Sequence, residues 1–218
     1  PFYVFYSMFG FQRTADSIWA AADQLSRGFL IGATAGRTTL TGEGLQHADG
    51  HSPIIAATND AVISYDPAFA YEIGHIIRAG IERMYGGTHS DPNVMYYLTV
   101  YNEPMVQPAE PEGVDVEGIV RGIHKVYNNP AEGRKAQIMA SGVALRWAHE
   151  AAELLSSDWG VSADIWSVTS WTELRRDGLC RNEERFLNPG ASIAQPYVTA
   201  KLAGHHGPFV GVLSLIHI

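Results

Sequence analysis

The chain has 218 residues, 46% of them apolar and 17% charged, enough apolar side chain to bury a core and unlike a disordered segment. Fifteen basic and twenty-three acidic side chains leave a formal net charge of -8, the wrong sign for a non-specific binder of nucleic acid or of an anionic membrane. No apolar run approaches the ~20 residues that span a bilayer, and Cys180 stands alone, which excludes an internal disulfide framework and suits a reducing, cytoplasmic setting.

Residues 2–8 carry the aromatic and β-branched side chains of a buried strand from the first positions onward, so the chain reads as an internal piece of a longer protein. Residues 12–26 place Ile18, Ala21, Ala22 and Leu25 at helical spacing, with Gly28 as a stop. A short apolar strand follows at 28–34. The polar stretch 35–52 then contains Gly36, Gly42, Gly44 and Gly50, and a loop of that length in a compact domain is usually functional or disordered. A third strand is expected at 61–65. Asp66-Pro67 has the form of a cap followed by an N1 proline, opening a helix to about Tyr85. In that helix Phe69, Ile73, Ile76, Ile77, Ile81 and Met84 should face the core. Residues 94–101 make a fourth strand. Apolar strands alternating with helices predict an α/β fold on a parallel sheet covered on both faces.

Residues 102–115 hold three prolines and four acids, the composition of an interdomain linker. They divide a first domain from a second. In the second, a helix is expected at 116–126, a strand at 136–141, a helix at 143–157 and a strand at 163–169.

The glycine-rich loop brings Glu43, His47, Asp49 and His51 within a few residues, beyond a strand's carboxyl end, where ligands bind in open α/β sheets. Four readings stay open from the residues alone. His47 and His51 have helical zinc spacing but Gly50 intervenes. Gly42-Glu43-Gly44 lacks the third glycine of a dinucleotide fingerprint and the lysine of a P-loop. His47 could act as acid or base with Glu43 near, or the histidines could simply cap turns in a solvated loop. Tyr3, Phe5, Tyr6, Phe9 and Phe11 crowd into one strand and the turn after it, where they are either core or a platform for a flat heterocycle. Tyr96, Tyr97 and Tyr101 are assigned to core and rim, Trp147, Trp159, Trp166 and Trp171 to packing, and Asp66 to capping.

The run from Tyr6 to Ser52, YSMFGFQRTADSIWAAADQLSRGFLIGATAGRTTLTGEGLQHADGHS, resembles the homodimeric bacterial pyruvate dehydrogenase E1 family. AVISYDPAFAYE, YYLTVYNEP and SADIWSVTSWTELRRDG continue the likeness to about Val212, and VYNEP, ASGVAL and SVTSW look most like its actinobacterial branch. The resemblance implies a transketolase-like α/β fold, with a pyrimidine-binding domain over 1–107 followed by the start of a C-terminal domain over 108–212. It implies thiamin diphosphate as cofactor, bound at a homodimer interface, with the diphosphate and Mg2+ held by a domain outside this chain. It implies pyruvate as substrate and transfer of the acetyl unit to the lipoyl group of an E2 acyltransferase. Tyr6 and Phe9 match positions that pack around the aminopyrimidine. His47 matches a histidine facing the substrate, Glu43 lies on the same loop, and His51 has a supporting part. The family's glutamate that protonates the aminopyrimidine lies upstream of Pro1, so this chain alone is expected to be inactive. The ending 213–218 departs from the family and resembles translated adapter sequence. Two alternatives remain: another thiamin enzyme such as a transketolase, and a catalytically silent dimerising fragment.

Overall fold

The computed structural model describes residues 1–5, 10–33, 51–87, 89–101 and 104–213. The first unit is a four-stranded, wholly parallel sheet in the order β1-β2-β4-β3, built from β1 (Phe2–Phe5), β2 (Gly28–Gly32), β3 (Val62–Tyr65) and β4 (Met95–Thr99). Helices α1 (Gly10–Asp23), α2 (Ser52–Ala56) and α3 (Ala70–Tyr85) connect them. Strands β2, β3 and β4 are mostly apolar because both faces are covered: Phe29, Ile63, Tyr96 and Leu98 pack on Ile76 and Met84 of α3, while Leu30, Val62, Met95 and Tyr97 pack on Phe11 and Ile18 of α1. One edge strand, β1, departs from the sequence expectation: Phe2, Tyr3 and Val4 are exposed, whereas the other edge strand, β3, is buried beneath α2 and α6.

The second unit is a mixed sheet in the order β5-β7-β6-β8, from β5 (His124–Tyr127), β6 (Arg134–Ala140), β7 (Val161–Ser167) and β8 (Phe209–Val212). Strands β6, β7 and β8 are parallel, whereas β5 runs antiparallel to β7 with a register shift after Lys125. Helices α4 (Val116–Arg121), α5 (Ala144–Trp159), α6 (Trp171–Leu187) and α7 (Tyr197–Leu202) complete it. Among the described residues, no helix is long and apolar enough to cross a membrane.

Four local expectations are corrected. The helix expected over 116–126 stops at Arg121, because Gly122 turns left-handed at φ 109° and a Cβ there would lie 2.7 Å from the Ser170 carbonyl oxygen. The strand β5 takes the remainder. Helix α3 starts at Ala70 with Phe69 as cap, so Asp66 is not its N-cap; its carboxylate is drawn instead to hydroxyls of β4 and beyond. On that helix Ile81 is 47% exposed and faces away from the core. Of the tryptophans expected to pack, Trp166 is 2% exposed but Trp159 is 66% exposed and Trp147 is also at the surface. Sequence periodicity also overlooked α6, whose only buried residue is Leu174. It carries charge pairs along its own surface, Arg176 to Glu173 at 2.6 Å and Arg181 to Glu184 at 2.7 Å, and rests on β3 and α7. Its start was legible as Ser170-x-x-Glu173, and Ser170 Oγ does accept from the Glu173 N–H at 3.1 Å.

The two units meet along a polar seam. Glu72, on the first turn of α3, has no solvent exposure. Its Oε2 accepts from the N–H groups of Ala68 (2.7 Å) and Phe69 (3.0 Å), closing the helix start. Its Oε1 lies 2.7 Å from Nε2 of buried His124 and accepts from Ser167 Oγ at 2.6 Å, both in the second unit. Tyr65 donates to the Val120 carbonyl at 2.6 Å, and Ser170 and Thr172 donate to the Ser64 carbonyl at 2.6 and 3.0 Å. Even the proline-rich segment between the units is strapped to α3: Gln107 accepts from the Ala70 N–H at 2.9 Å, and Glu110 pairs with His75 at 3.0 Å.

Removing one partner from such a buried network strands the rest. Glu72→Ala should therefore cost about 3–5 kcal/mol, seen as a lower urea midpoint. Glu117→Ala, which breaks an exposed pair with Arg121, should stay within about 0.5 kcal/mol. Equal losses would remove Glu72 from its organising place.

Candidate functional site

Because all four strands of the first sheet are parallel, their carboxyl ends share one edge. The ends are aligned closely: Phe5 is in register with Gly32, and Gly32 with Thr99. Just beyond, the Ala33 N–H donates to the Phe5 carbonyl and the Val100 N–H to the Gly32 carbonyl, both at 2.9 Å. The segments singled out in the sequence leave from this edge. Tyr6 and Phe9 fall in the chain between β1 and α1, and Glu43 and His47 between β2 and α2. All four lie outside the described residues. Of the loop's histidines, His51 is described; it is the exposed N-cap residue of α2.

The described surroundings of this edge are aromatic and tight. Phe11 and Tyr97 meet with ring centroids 4.6 Å apart. A Cβ on Gly10 would come within 2.8 Å of the Phe5 ring, and one on Gly32 within 2.7 Å of the Tyr97 hydroxyl oxygen. Phe11 and Tyr97 are both fully buried, so these rings are packed core beneath the edge rather than a ligand-facing surface. Among the described residues, no group of three or more His, Cys, Asp or Glu side chains comes together to hold a metal ion.

Sequence reasoning missed a second feature of the same edge. Asp66 immediately follows β3, and its Oδ1 accepts from Thr99 Oγ1 at 2.6 Å and from the Tyr101 hydroxyl. Its backbone belongs to the other unit's network: the N–H donates to the Thr169 carbonyl at 2.7 Å, and the carbonyl accepts from the Gly142 N–H at 3.1 Å. Burial pushes the Asp66 carboxyl above the usual carboxylate range; hydrogen bonds from Thr99, Tyr101 and Ser141 offset part of this, and the nearby charge of Glu72 adds to it. A cavity of about 360 Å³ lies beside it, lined by Ile54, Ser64, Asp66, Ser141, Trp171 and Arg175 among others. The signal in the sequence was the set of hydroxyls at strand ends, Thr99, Tyr101 and Ser141. It carried no indication that they converge on one acid.

Residues 1–108 match the family model described as the pyruvate dehydrogenase E1 component middle domain, and residues 122–217 the transketolase-like C-terminal domain. Similar curated proteins are named pyruvate dehydrogenase E1 component. That of Corynebacterium glutamicum is 58% identical over 212 residues, covering 97% of this chain and 23% of the relative. That of Mycobacterium tuberculosis is 58% identical over 214 residues, with the same two coverages. That of Escherichia coli K12 is 52% identical over 198 residues, 91% of this chain and 22% of the relative. The chain thus spans about a quarter of the length of these relatives. Among solved structures, the transketolase from Leishmania mexicana superposes with a TM-score of 0.67 at 15% identity, covering 99% of this chain and 27% of that one. A transketolase mutant from Pichia stipitis gives 0.65 at 13%, covering 99% and 29%. At such identities these structures show the fold, a transketolase-like α/β arrangement.

The raised Asp66 carboxyl sets a sign. In the unfolded chain it ionises near pH 4, while the folded state keeps its proton to higher pH, so this residue's contribution to stability falls as pH rises through that window. Between pH 4 and 7, the urea midpoint of Asp66→Asn relative to the unchanged protein should shift in favour of the amide. A difference that stays constant with pH would show an acid ionising at its ordinary value.

Proposed function

Since the chain belongs to the pyruvate dehydrogenase E1 component family, we propose that its full-length protein catalyses thiamin diphosphate-dependent decarboxylation of pyruvate and passes the acetyl unit to the lipoyl group of an E2 acyltransferase. The observation that carries this is the 58% identity to E1 components across 97% of the chain, running through two consecutive family domains. The likeness to transketolases, at 13–15% identity, bears on the fold and names no substrate here. In this reading the protein is a cytoplasmic homodimer, residues 1–107 form the pyrimidine-binding domain and 108–212 begin the C-terminal domain. The diphosphate and Mg2+ are held by parts of the protein outside this chain.

The cofactor, when bound, supplies the electron sink for loss of carbon dioxide. The chain's own residues bind and orient. Tyr6 and Phe9, at the carboxyl end of β1, pack against the aminopyrimidine and exclude water from its faces. His47 faces the substrate and donates a hydrogen bond to the oxygen on which negative charge develops, a preorganised donor that does more for the transition state than for bound pyruvate. Glu43 shares that loop and acts beside it.

The test is pyruvate decarboxylation by the full-length protein with and without thiamin diphosphate; absence of dependent activity would leave the transketolase or silent-fragment reading. In an active enzyme, His47→Ala should lower acetyl transfer by about 10²-fold or more while thiamin affinity stays within a few-fold. Tyr6→Ala or Phe9→Ala should weaken thiamin binding first, by roughly 3–10-fold, the worth of one aromatic contact. Equal losses of rate and affinity in His47→Ala would make that histidine structural, and unchanged affinity in both aromatic variants would take them out of the pocket.

A further inference from the structure

The second unit reaches the carboxyl edge of the first sheet around Asp66. Gly142 follows β6, has φ +52°, and presses against the Asp66–Tyr101 pair: a Cβ there would collide with the Tyr101 hydroxyl oxygen and come within 2.8 Å of Asp66 Oδ1. The same Gly142 donates its N–H to the Asp66 carbonyl, and the Asp66 N–H donates to Thr169 beyond β7. Ser141 adds a side-chain hydrogen bond to the Asp66 carboxyl. From the other side, Asp66 grips Thr99 and Tyr101 at the end of β4. There Val100 is hydrogen-bonded to Gly32, the last residue of β2 before the segment that carries Glu43 and His47. A chain of direct contacts therefore runs from the second sheet, through one buried acid, to the strand end from which that segment leaves.

We propose that Asp66 is a positioning residue for the chemistry at this edge, by which the second unit fixes the spacing of the β2, β3 and β4 carboxyl ends. This rests on the function proposed above. Asp66 acts through Thr99 and Tyr101. The carboxyl holds the sheet edge and takes a further hydrogen bond from Ser141, while the peptide group holds the turns after β6 and β7. Glu72, at the same seam, grips the amino end of α3 instead, so its loss should loosen the units without disturbing the edge. That difference separates positioning from simple support.

The experiment uses the full-length enzyme with thiamin diphosphate. Asp66→Ala should lower kcat for pyruvate by about tenfold or more, with KM and thiamin affinity within threefold. Asp66→Asn, whose amide oxygen still accepts from Thr99 and Tyr101, should recover most of that rate. Hydrogen exchange should speed up together at Val100 and Gly142 in the alanine variant, with or without cofactor. Glu72→Ala, assayed below its melting temperature, should keep kcat within threefold despite a larger loss of stability. If Asp66→Ala fails to fold, Tyr101→Phe removes one grip alone and should still lower kcat severalfold. Unchanged kcat in folded Asp66→Ala or Tyr101→Phe, or a rate loss in Glu72→Ala matching that of Asp66→Ala, would overturn the inference. An unchanged enzyme with no thiamin-dependent activity would instead overturn the function it rests on.

Discussion

Glu72 has both carboxylate oxygens committed inside the protein, Oε2 to two backbone N–H groups of its own helix start and Oε1 to His124 and Ser167 of the neighbouring sheet. Taking a carboxylate out of water costs several kcal/mol unless every lone pair finds a partner. The cost is offset only when three elements stand in one arrangement: α3 beginning at Ala70, β5 presenting His124, and β7 presenting Ser167. A shift of a residue in any of them leaves a buried donor or acceptor stranded. The seam therefore specifies how the two sheets join, which apolar packing between smooth faces would define less sharply.

The remaining seam contacts follow from that joining. Once α3 and β5 are fixed, the ends of β3 and β4 lie against the turns after β6 and β7, and small or hydroxyl residues fill the gap: Ser64, Ser141, Gly142, Thr169 and Ser170. At Gly142 both the backbone angle and the distance to Tyr101 forbid a Cβ. The parallel topology then brings the strand ends of the first sheet to one edge. Candidate ligand-facing segments collect there because only at that end do loops leave every strand without having to cross the sheet.

Much of this was legible residue by residue. The strand β3, the helix α5 and the core positions Ile76 and Met84 follow from local periodicity and punctuation. Two of the misreadings share one cause, a partner distant in the chain. Asp66-Pro67 has the local form of a helix cap, but Thr99 and Tyr101, more than thirty residues away, offer its carboxyl better donors in a dry setting. Val116 to Val126 is helical by pattern, but the approach of Ser170 to Gly122 turns the chain after one and a half turns. The helix α6 is nearly all polar, so it leaves almost no apolar stripe to find. As for the candidate site, the residue types and their order were visible in the sequence, while Tyr6, Phe9, Glu43 and His47 stand on segments outside the described residues.

The sequence by itself determined the α/β class and the alternation of elements, because apolar strands and amphipathic helices are properties of neighbours in the chain. Its uninterrupted likeness to E1 components also identified the family. Only the tertiary structure decided that Asp66, Glu72 and His124 form one seam, that β5 runs antiparallel, and that the second unit reaches the edge from which the proposed site departs. These depend on partners 30 to 100 positions apart, and no local preference distinguishes a hydroxyl that will meet water from one that will meet a buried acid. Burial makes that distinction, and burial exists only once the two sheets have packed.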